Sequence, residues 1–318
     1  MEQLEARSAP RRWGEKPYRS LDYHIRSTFG EKLYKISLDA GMSCPNRDGT
    51  LGTGGCIFCS RGGSGDFAAD RSLSVTEQIR TGKRQAAGKF KGTGYIAYFQ
   101  AYTNTYAPPE TLRSIFLEAA EHPDIRALSI ATRPDCLGPE VLEVLAQVRR
   151  VRPVWVELGL QTVHPGTAAF IRRGYELPVF ERAIRDLRSL GLDVIVHVIL
   201  FLPGETPEDM YATVGYLNRM DIQGIKLQLL HVLRGTDLAA YYEAHPFHIP
   251  AMEEYFHVLG ECLLRLRPDI TVHRLTGDGP KQLLVAPLWT GNKREVLNRL
   301  HAYLKRQDIW QGRSYIHG

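Results

Sequence analysis

Residues 127–160 read ALSIATRPDCLGPEVLEVLAQVRRVRPVWVELGL. ALSIAT (127–132) and VWVELGL (154–160) are short apolar runs with β-branched residues, each bounded by turn formers. Between them, Pro139 opens EVLEVLAQVRR, whose apolar positions recur every three or four residues as on one face of a helix. Strand, helix and strand within about thirty residues is a parallel βαβ unit. The same grammar extends in both directions. Further strand-like runs are LYKISL (33–38), YIAYFQ (95–100), DVIVHVIL (193–200) and IKLQLLHV (225–232). Helical stretches start at Ser74, Pro108-Pro109, Pro178 and Thr206-Pro207, all residues suited to a helix N-terminus. Six β-then-α units predict an α/β fold, an open, partial (β/α)6 barrel; a doubly wound sheet is the competing architecture. The expected organisation is an N-terminal arm (1–32), a core barrel (33–240) and an α/β extension packed on it (241–318). That extension holds the helical MEEYFHVLGECLLRL, the strand-like DITVHRL and the helical KREVLNRLHAYLKR. Ligands of βα architectures gather at the C-terminal ends of the strands, so the residues just after each run are the candidates.

Bulk composition narrows the class. Of 318 residues, 43% are hydrophobic and 24% charged, as in a globular chain able to form a sizeable core. No apolar run is long enough to span a bilayer and the N-terminus lacks the apolar segment of a secretory signal, so a cytoplasmic protein with no membrane partner is expected. The net charge of +5 hints at a polyanion. Arg80, Lys83, Arg84, Lys89 and Lys91 form an acid-free basic stretch, and a second basic segment runs from Lys293 to Arg313. Phosphate contacts with a nucleic acid compete there with plain solvated helix faces.

Five cysteines are too few for a disulfide scaffold, and three of them cluster as CPNRDGTLGTGGCIFCS after the first strand. Cys44, Cys56 and Cys59 have the spacing C-x11-C-x2-C, with glycines between that let the backbone wrap a bulky group. Three thiolates would leave one iron of a [4Fe–4S] cube open to a ligand. A zinc site is the other reading, but it usually wants four ligands and the spacing offers no obvious fourth. Cys262 falls in a helical pattern and reads as core. Cys136, just after the third strand, reads as a half-buried inert thiol. Glu157 and His197 interrupt apolar strands. Such groups need partners, either a ligand in the barrel or an internal ion pair or hydrogen bond.

The loop CPNRDGTLGTGGCIFC, with YFQAYTNTYAP, ATRPDCL, VELGLQT, HRLTGD and LLVAPLW, resembles the YhcC/YtqA-like radical S-adenosylmethionine (SAM) family. That family is related to the radical SAM domain of the Elongator catalytic subunit. The resemblance spans roughly residues 18–290, with a cysteine spacing longer than the C-x3-C-x2-C usual in the superfamily. It implies a [4Fe–4S] cluster on Cys44, Cys56 and Cys59. SAM would bind the open iron, and its reductive cleavage to a 5′-deoxyadenosyl radical would start the reaction. It places Gln100 at the turn that contacts the SAM amino group and Thr132 at a polar strand end. Gln161 and Arg173 match SAM-contacting residues of the coproporphyrinogen-oxidising relatives, Arg173 facing the SAM carboxylate. Glu157 and His197 point to the same ligand. Phe201 stands where many relatives carry a glycine. A reductant protein such as flavodoxin or ferredoxin is implied. The substrate implied is the wobble uridine of tRNA, its carboxymethylaminomethyl side chain processed to aminomethyl. A radical SAM enzyme acting on a small metabolite or peptide competes with that reading. So does a non-catalytic RNA-binding protein with a structural metal.

Overall fold

The computed structural model describes residues 11–316 apart from Ser64 and Asp278. The first ten residues of the N-terminal arm and the Asp278 of HRLTGD therefore lie outside the described residues. Nine strands are described: β1 Tyr34–Leu38, β2 Tyr95–Phe99, β3 Ile125–Thr132, β4 Val154–Gln161, β5 Asp193–Leu200, β6 Gly224–Leu229, β7 Val232–Leu233, β8 Thr271–Arg274 and β9 Leu284–Ala286. The helices up to β5 are α1 Leu21–Phe29, α2 Val75–Ala86, α3 Pro109–Glu121, α4 Pro139–Val151, α5 Pro165–Phe170 and α6 Leu177–Ser189. After β5 come α7 Pro207–Asn218, α8 Asp237–Ala244, α9 Met252–Arg265 and α10 Lys293–Arg306. The start signals work as read. Ser74 with Glu77, and Thr206 with Asp209, close reciprocal capping boxes, and Pro109, Pro139 and Pro207 occupy first helical positions.

Seven strands form one parallel sheet in the order β1-β2-β3-β4-β5-β6-β8. Strand order follows chain order throughout, so the sheet never reverses its winding. A doubly wound sheet requires such a reversal, and the chain is an open half-barrel. The sheet has seven strands where six units were expected. The seventh, β8, comes from the DITVHRL segment and pairs with β6 at Gly224↔Thr271 and Ile225↔Val272.

Alternation along the strands sorts the side chains into a helix-facing core and a barrel interior. Helix-facing Leu38, Phe99, Leu128, Val156 and Val196 are buried in the main apolar cluster. Helix α2 approaches β1 so closely that a Cβ on Gly82 would lie 2.3 Å from Ile36 Cγ2. The interior is layered. At its bottom Leu33, Ile96, Ala127, Trp155 and Ile195 pack with Ile25 of α1, and Ser20 bridges to Val272. The N-terminal arm thus stoppers the barrel. Two residues higher on each strand lies a polar layer of Lys35, Tyr98, Ser129, Glu157, His197 and Lys226, and above it the cavity opens.

Candidate active site

A cavity of about 410 Å³ occupies the C-terminal ends of the strands. Cys44, Cys56 and Cys59 line one wall. Gln100, Thr132, Glu157, Gln161, Arg173 and His197 line the same space. Segments up to 153 residues apart are brought together because each follows or ends a neighbouring parallel strand.

The cysteine loop is held by its own backbone. Arg47 N–H and Asp48 N–H donate to Cys44 O, Gly55 N–H to Asn46 O, and Cys59 N–H to Cys56 O (3.0 Å). Arg47 Nη2 donates to Cys59 O and Ser60 O, and a Cβ on Gly55, at φ +74°, would strike that guanidinium at 2.9 Å. Asn46 Nδ2 donates to Arg172 O (2.7 Å) and reaches Cys56 Sγ at 3.5 Å. Burial pushes the Cys56 thiol up to about 12. Among the described residues no three His, Cys, Asp or Glu groups come together closely enough to hold a single metal ion. Three thiols on one cavity wall are the donor set that leaves one iron of a [4Fe–4S] cube open.

On the neighbouring wall, Gln161 Oε1 is buried with no hydrogen-bond partner. The Arg173 guanidinium is 4% exposed. It donates to the carbonyls of Tyr175, Leu160 and Thr162 and stacks 4.8 Å from the Tyr175 ring centroid. Among the described residues no carboxylate pairs with it, and burial lowers its pKa. A buried guanidinium without an anion and an amide oxygen without a donor are complementary to an amino-acid zwitterion. Thr132 is spent differently, its hydroxyl being hydrogen-bonded to that of Thr105.

Three strand ends bend through left-handed backbone at non-glycine residues: Tyr102 (φ +57°), Gln161 (φ +68°) and Phe201 (φ +62°). The left-handed region costs a side chain of order 1–3 kcal/mol. Phe201 thus holds backbone that glycine would adopt without that cost. Tyr102 N–H donates to Gly63 O and Thr103 N–H to Ser43 O, stitching this turn to the cysteine loop. A Cβ on Gly63 would collide with the Tyr102 ring at 2.4 Å, so the loop lies flat on it only as glycine.

Glu157 resolves as the hub of an internal ion-pair network. Its Oε1 accepts from Lys35 Nζ (2.9 Å) and Ser129 Oγ (2.6 Å); its Oε2 accepts from His197 Nε2 (2.7 Å) and Lys226 Nζ. All four lone-pair positions of the carboxylate are taken. Glu157 and His197 thus border the cavity, but they are joined to each other rather than held open for a ligand amine. Burial alone would raise the Glu157 pKa; the charges of Lys226 and Lys35 and the His197 hydrogen bond hold it well below the usual carboxylate value. Burial and the Lys226 charge push His197 down to about 4, so it is neutral at pH 7 and donates from Nε2. Burial brings Lys226 down to about 7.

The basic stretch expected to meet phosphates lies away from this cavity. Lys83 is ion-paired to Asp124 and lies 5.7 Å from the Tyr95 ring centroid. Asp124 precedes β3 and Tyr95 begins β2, so these contacts fix the end of α2 at the N-terminal edge of the sheet, opposite the cavity. Arg84 donates to Thr81 Oγ1, and Arg80, Lys89 and Lys91 are exposed at the same far end. A helix that follows a parallel strand must run back to the strand's start, which carries all five basic residues away from the mouth. The sequence reading also missed Lys35 and Lys226. The signal was present, since both are charged residues inside apolar strands, as Glu157 is.

The Radical SAM superfamily model matches residues 49–217 and the Radical_SAM C-terminal domain model matches residues 222–306. The chain is 42% identical over 301 residues to the uncharacterized protein YtqA of Bacillus subtilis (strain 168), covering 95% of this chain and 94% of that one. It is 36% identical over 282 residues to protein YhcC of Escherichia coli (strain K12), covering 88% and 90%. A tRNA uridine(34) acetyltransferase of Methanocaldococcus jannaschii is 24% identical over 195 residues, covering 60% of this chain and 35% of its own. Among solved structures, an archaeal Methanocaldococcus infernus Elp3 with an N-terminal deletion superposes with a TM-score of 0.66 at 15% identity, over 88% of this chain and 64% of that one. The last likeness shows a shared fold.

Proposed function

Because the chain belongs to the radical SAM superfamily, in company with YtqA and YhcC, whose members use a [4Fe–4S] cluster and SAM, we propose that Cys44, Cys56 and Cys59 hold that cluster and that the protein modifies the wobble-uridine side chain of tRNA, from carboxymethylaminomethyl to aminomethyl. The observation that carries the site is the cavity itself. Three cysteines share it with an anion-free buried guanidinium, Arg173, and an unpaired amide oxygen, Gln161. Cluster and SAM, once bound, supply a 5′-deoxyadenosyl radical able to abstract a substrate hydrogen. The chain's part is to place and enclose. Arg173 would hold the SAM carboxylate and Gln161 Oε1 its ammonium group. The Tyr102 turn, pressed on Gly63, keeps the cysteine loop over the strand ends, and the arm-stoppered interior keeps water from entering below. An electron donor of the flavodoxin or ferredoxin class and a cytoplasmic setting complete the proposal. Among the described residues no helix is long and apolar enough to cross a membrane.

The tRNA substrate is supported by the resemblance to Elongator-type chains and by the tRNA uridine(34) acetyltransferase relative, of which this chain covers 35%. The far-side position of the basic stretch favours the other reading, a small metabolite or peptide. Mass spectrometry of tRNA nucleosides decides between them. A deletion strain should accumulate the carboxymethylaminomethyl uridine and lose aminomethyl-derived forms. An unchanged nucleoside profile sinks the tRNA reading and leaves the radical SAM assignment standing.

A further inference from the structure

Asn46 sits inside the cysteine loop, two residues after Cys44, and is 5% exposed. A primary amide has two N–H donors, and both are used here. One goes to the carbonyl oxygen of Arg172 at 2.7 Å, the other to Cys56 Sγ at 3.5 Å. The carbonyl fixes which way the amide faces. Turned over, Asn46 would set Oδ1 against Arg172 O at 2.7 Å, oxygen on oxygen, so the nitrogen is the atom that meets both. The surrounding backbone is shaped for this contact. Asn46 O accepts from Gly55 N–H at 2.7 Å. Arg172 takes a left-handed φ of +56°, which is unfavourable for a side chain, with its carbonyl on the Asn46 amide. Gly174, at φ +82°, makes room: a Cβ there would lie 2.9 Å from Asn46 Oδ1 and 3.1 Å from Arg133 Nη2. The amide is thus held in place by the fold. The Cys56 thiol also donates weakly to Arg172 O at 3.6 Å. A metal-bound cysteine is a thiolate with no proton to give. In that state the bond accepted from Asn46 is kept and strengthened, because its acceptor is charged.

We infer that Asn46 is a positioning residue for electron uptake, its N–H on Cys56 Sγ making the cluster easier to reduce. This holds on the reading of Cys56 as a cluster ligand. Reduction takes one electron from the flavodoxin- or ferredoxin-class donor and adds one negative charge, shared by the cluster and its sulfurs. An N–H dipole aimed at one of those sulfurs stabilises the reduced form more than the oxidised one. Burial leaves such a dipole poorly screened. A charge-assisted bond should favour reduction about tenfold, which for one electron is about 59 mV.

The test is a potentiometric titration of the anaerobically reconstituted chain, followed by EPR of the reduced cluster. Asn46→Leu, of nearly the same size but without the N–H, should lower the midpoint potential by about 59 mV with the iron content unchanged. Loosened packing alone predicts the opposite sign, since water reaching the cluster favours the more negatively charged reduced form. Asp237→Asn is the control. Asp237 is ion-paired to Arg172 across Gly54, where a Cβ would lie 2.8 Å from Arg172 Nη1. Breaking that pair loosens the same loop and leaves the Asn46 amide alone, so the midpoint should not move. If Asn46→Leu holds no cluster, Asn46→Asp decides. It has the same shape, puts an oxygen where the N–H was and adds a negative charge, so the midpoint should fall further. An unchanged or raised midpoint in the Asn46 variants, or an equal fall in Asp237→Asn, overturns the inference and leaves the cluster reading standing. A wild-type chain that takes up no [4Fe–4S] cluster overturns both.

Discussion

Replacing Glu157 by glutamine tests the polar layer. The carboxylate accepts from two ammonium groups, an imidazole and a hydroxyl, and it is 1% exposed. Glutamine keeps one acceptor oxygen and turns an NH2 toward a cation. Removing one partner of a buried ion pair costs about 3–5 kcal/mol, a large part of the roughly 5–15 kcal/mol that holds a domain together. The midpoint of thermal unfolding should fall by roughly 10 °C. The loss depends on pH in a definite sense. Glu157 has its folded pKa well below the ordinary carboxylate value of 4.5, so its contribution is complete above 4.5 and disappears as the pH falls through the folded value. At the other end, Lys226 already titrates near 7 and escapes its lost counter-ion by shedding a proton. The variant should therefore be hurt more at pH 6 than at pH 9. Differential scanning calorimetry at both values measures this. A midpoint within about 2 °C of the wild type at both refutes the claim that Glu157 neutralises this layer.

Cys44→Ala, Cys56→Ala and Cys59→Ala should each abolish SAM cleavage and lower the iron content from about four per chain, while Cys262→Ala, in the apolar core on α9, should change neither; cluster assembly and 5′-deoxyadenosine release report both. Arg173→Ala and Gln161→Ala should weaken SAM binding with the iron content nearly intact, read by equilibrium dialysis, and unchanged affinity in both would separate the SAM pocket from these residues. Lys83→Glu breaks a half-exposed ion pair to Asp124, worth at most about 1 kcal/mol, and should leave substrate turnover alone; a large loss of tRNA affinity would bring the α2 end back as an RNA contact. Gly82→Ala gains helix propensity of about 1 kcal/mol but drives a methyl into Ile36, so urea denaturation should show a net loss of about 1–3 kcal/mol.

Much of this was readable in one dimension. The six apolar runs are strands, the proline and Ser/Thr start signals open the helices, and the residues after the runs do meet in one cavity. What escaped was set by partners distant in sequence. DITVHRL shows its membership of the sheet only once β6 lies beside it. Glu157 betrays a need for compensation, but its compensators are distributed over β1, β3, β5 and β6, and only the register assigns them. The basic stretch shows only its charge in the sequence; its place at the opposite edge of the sheet comes from the return run of α2 after β1.

The stopper formed by α1 under Trp155 and Ile96 fixes the order of events at the opposite end. With the bottom shut, cofactor and substrate share one doorway, and whatever lies deeper must arrive first and depart last. Turnover is then a strictly sequential traffic. Which of the two lies deeper is read from inhibition by 5′-deoxyadenosine, whose pattern against SAM should differ from its pattern against substrate. A chain trimmed of α1 would lose that one-way order even if its strands stayed paired.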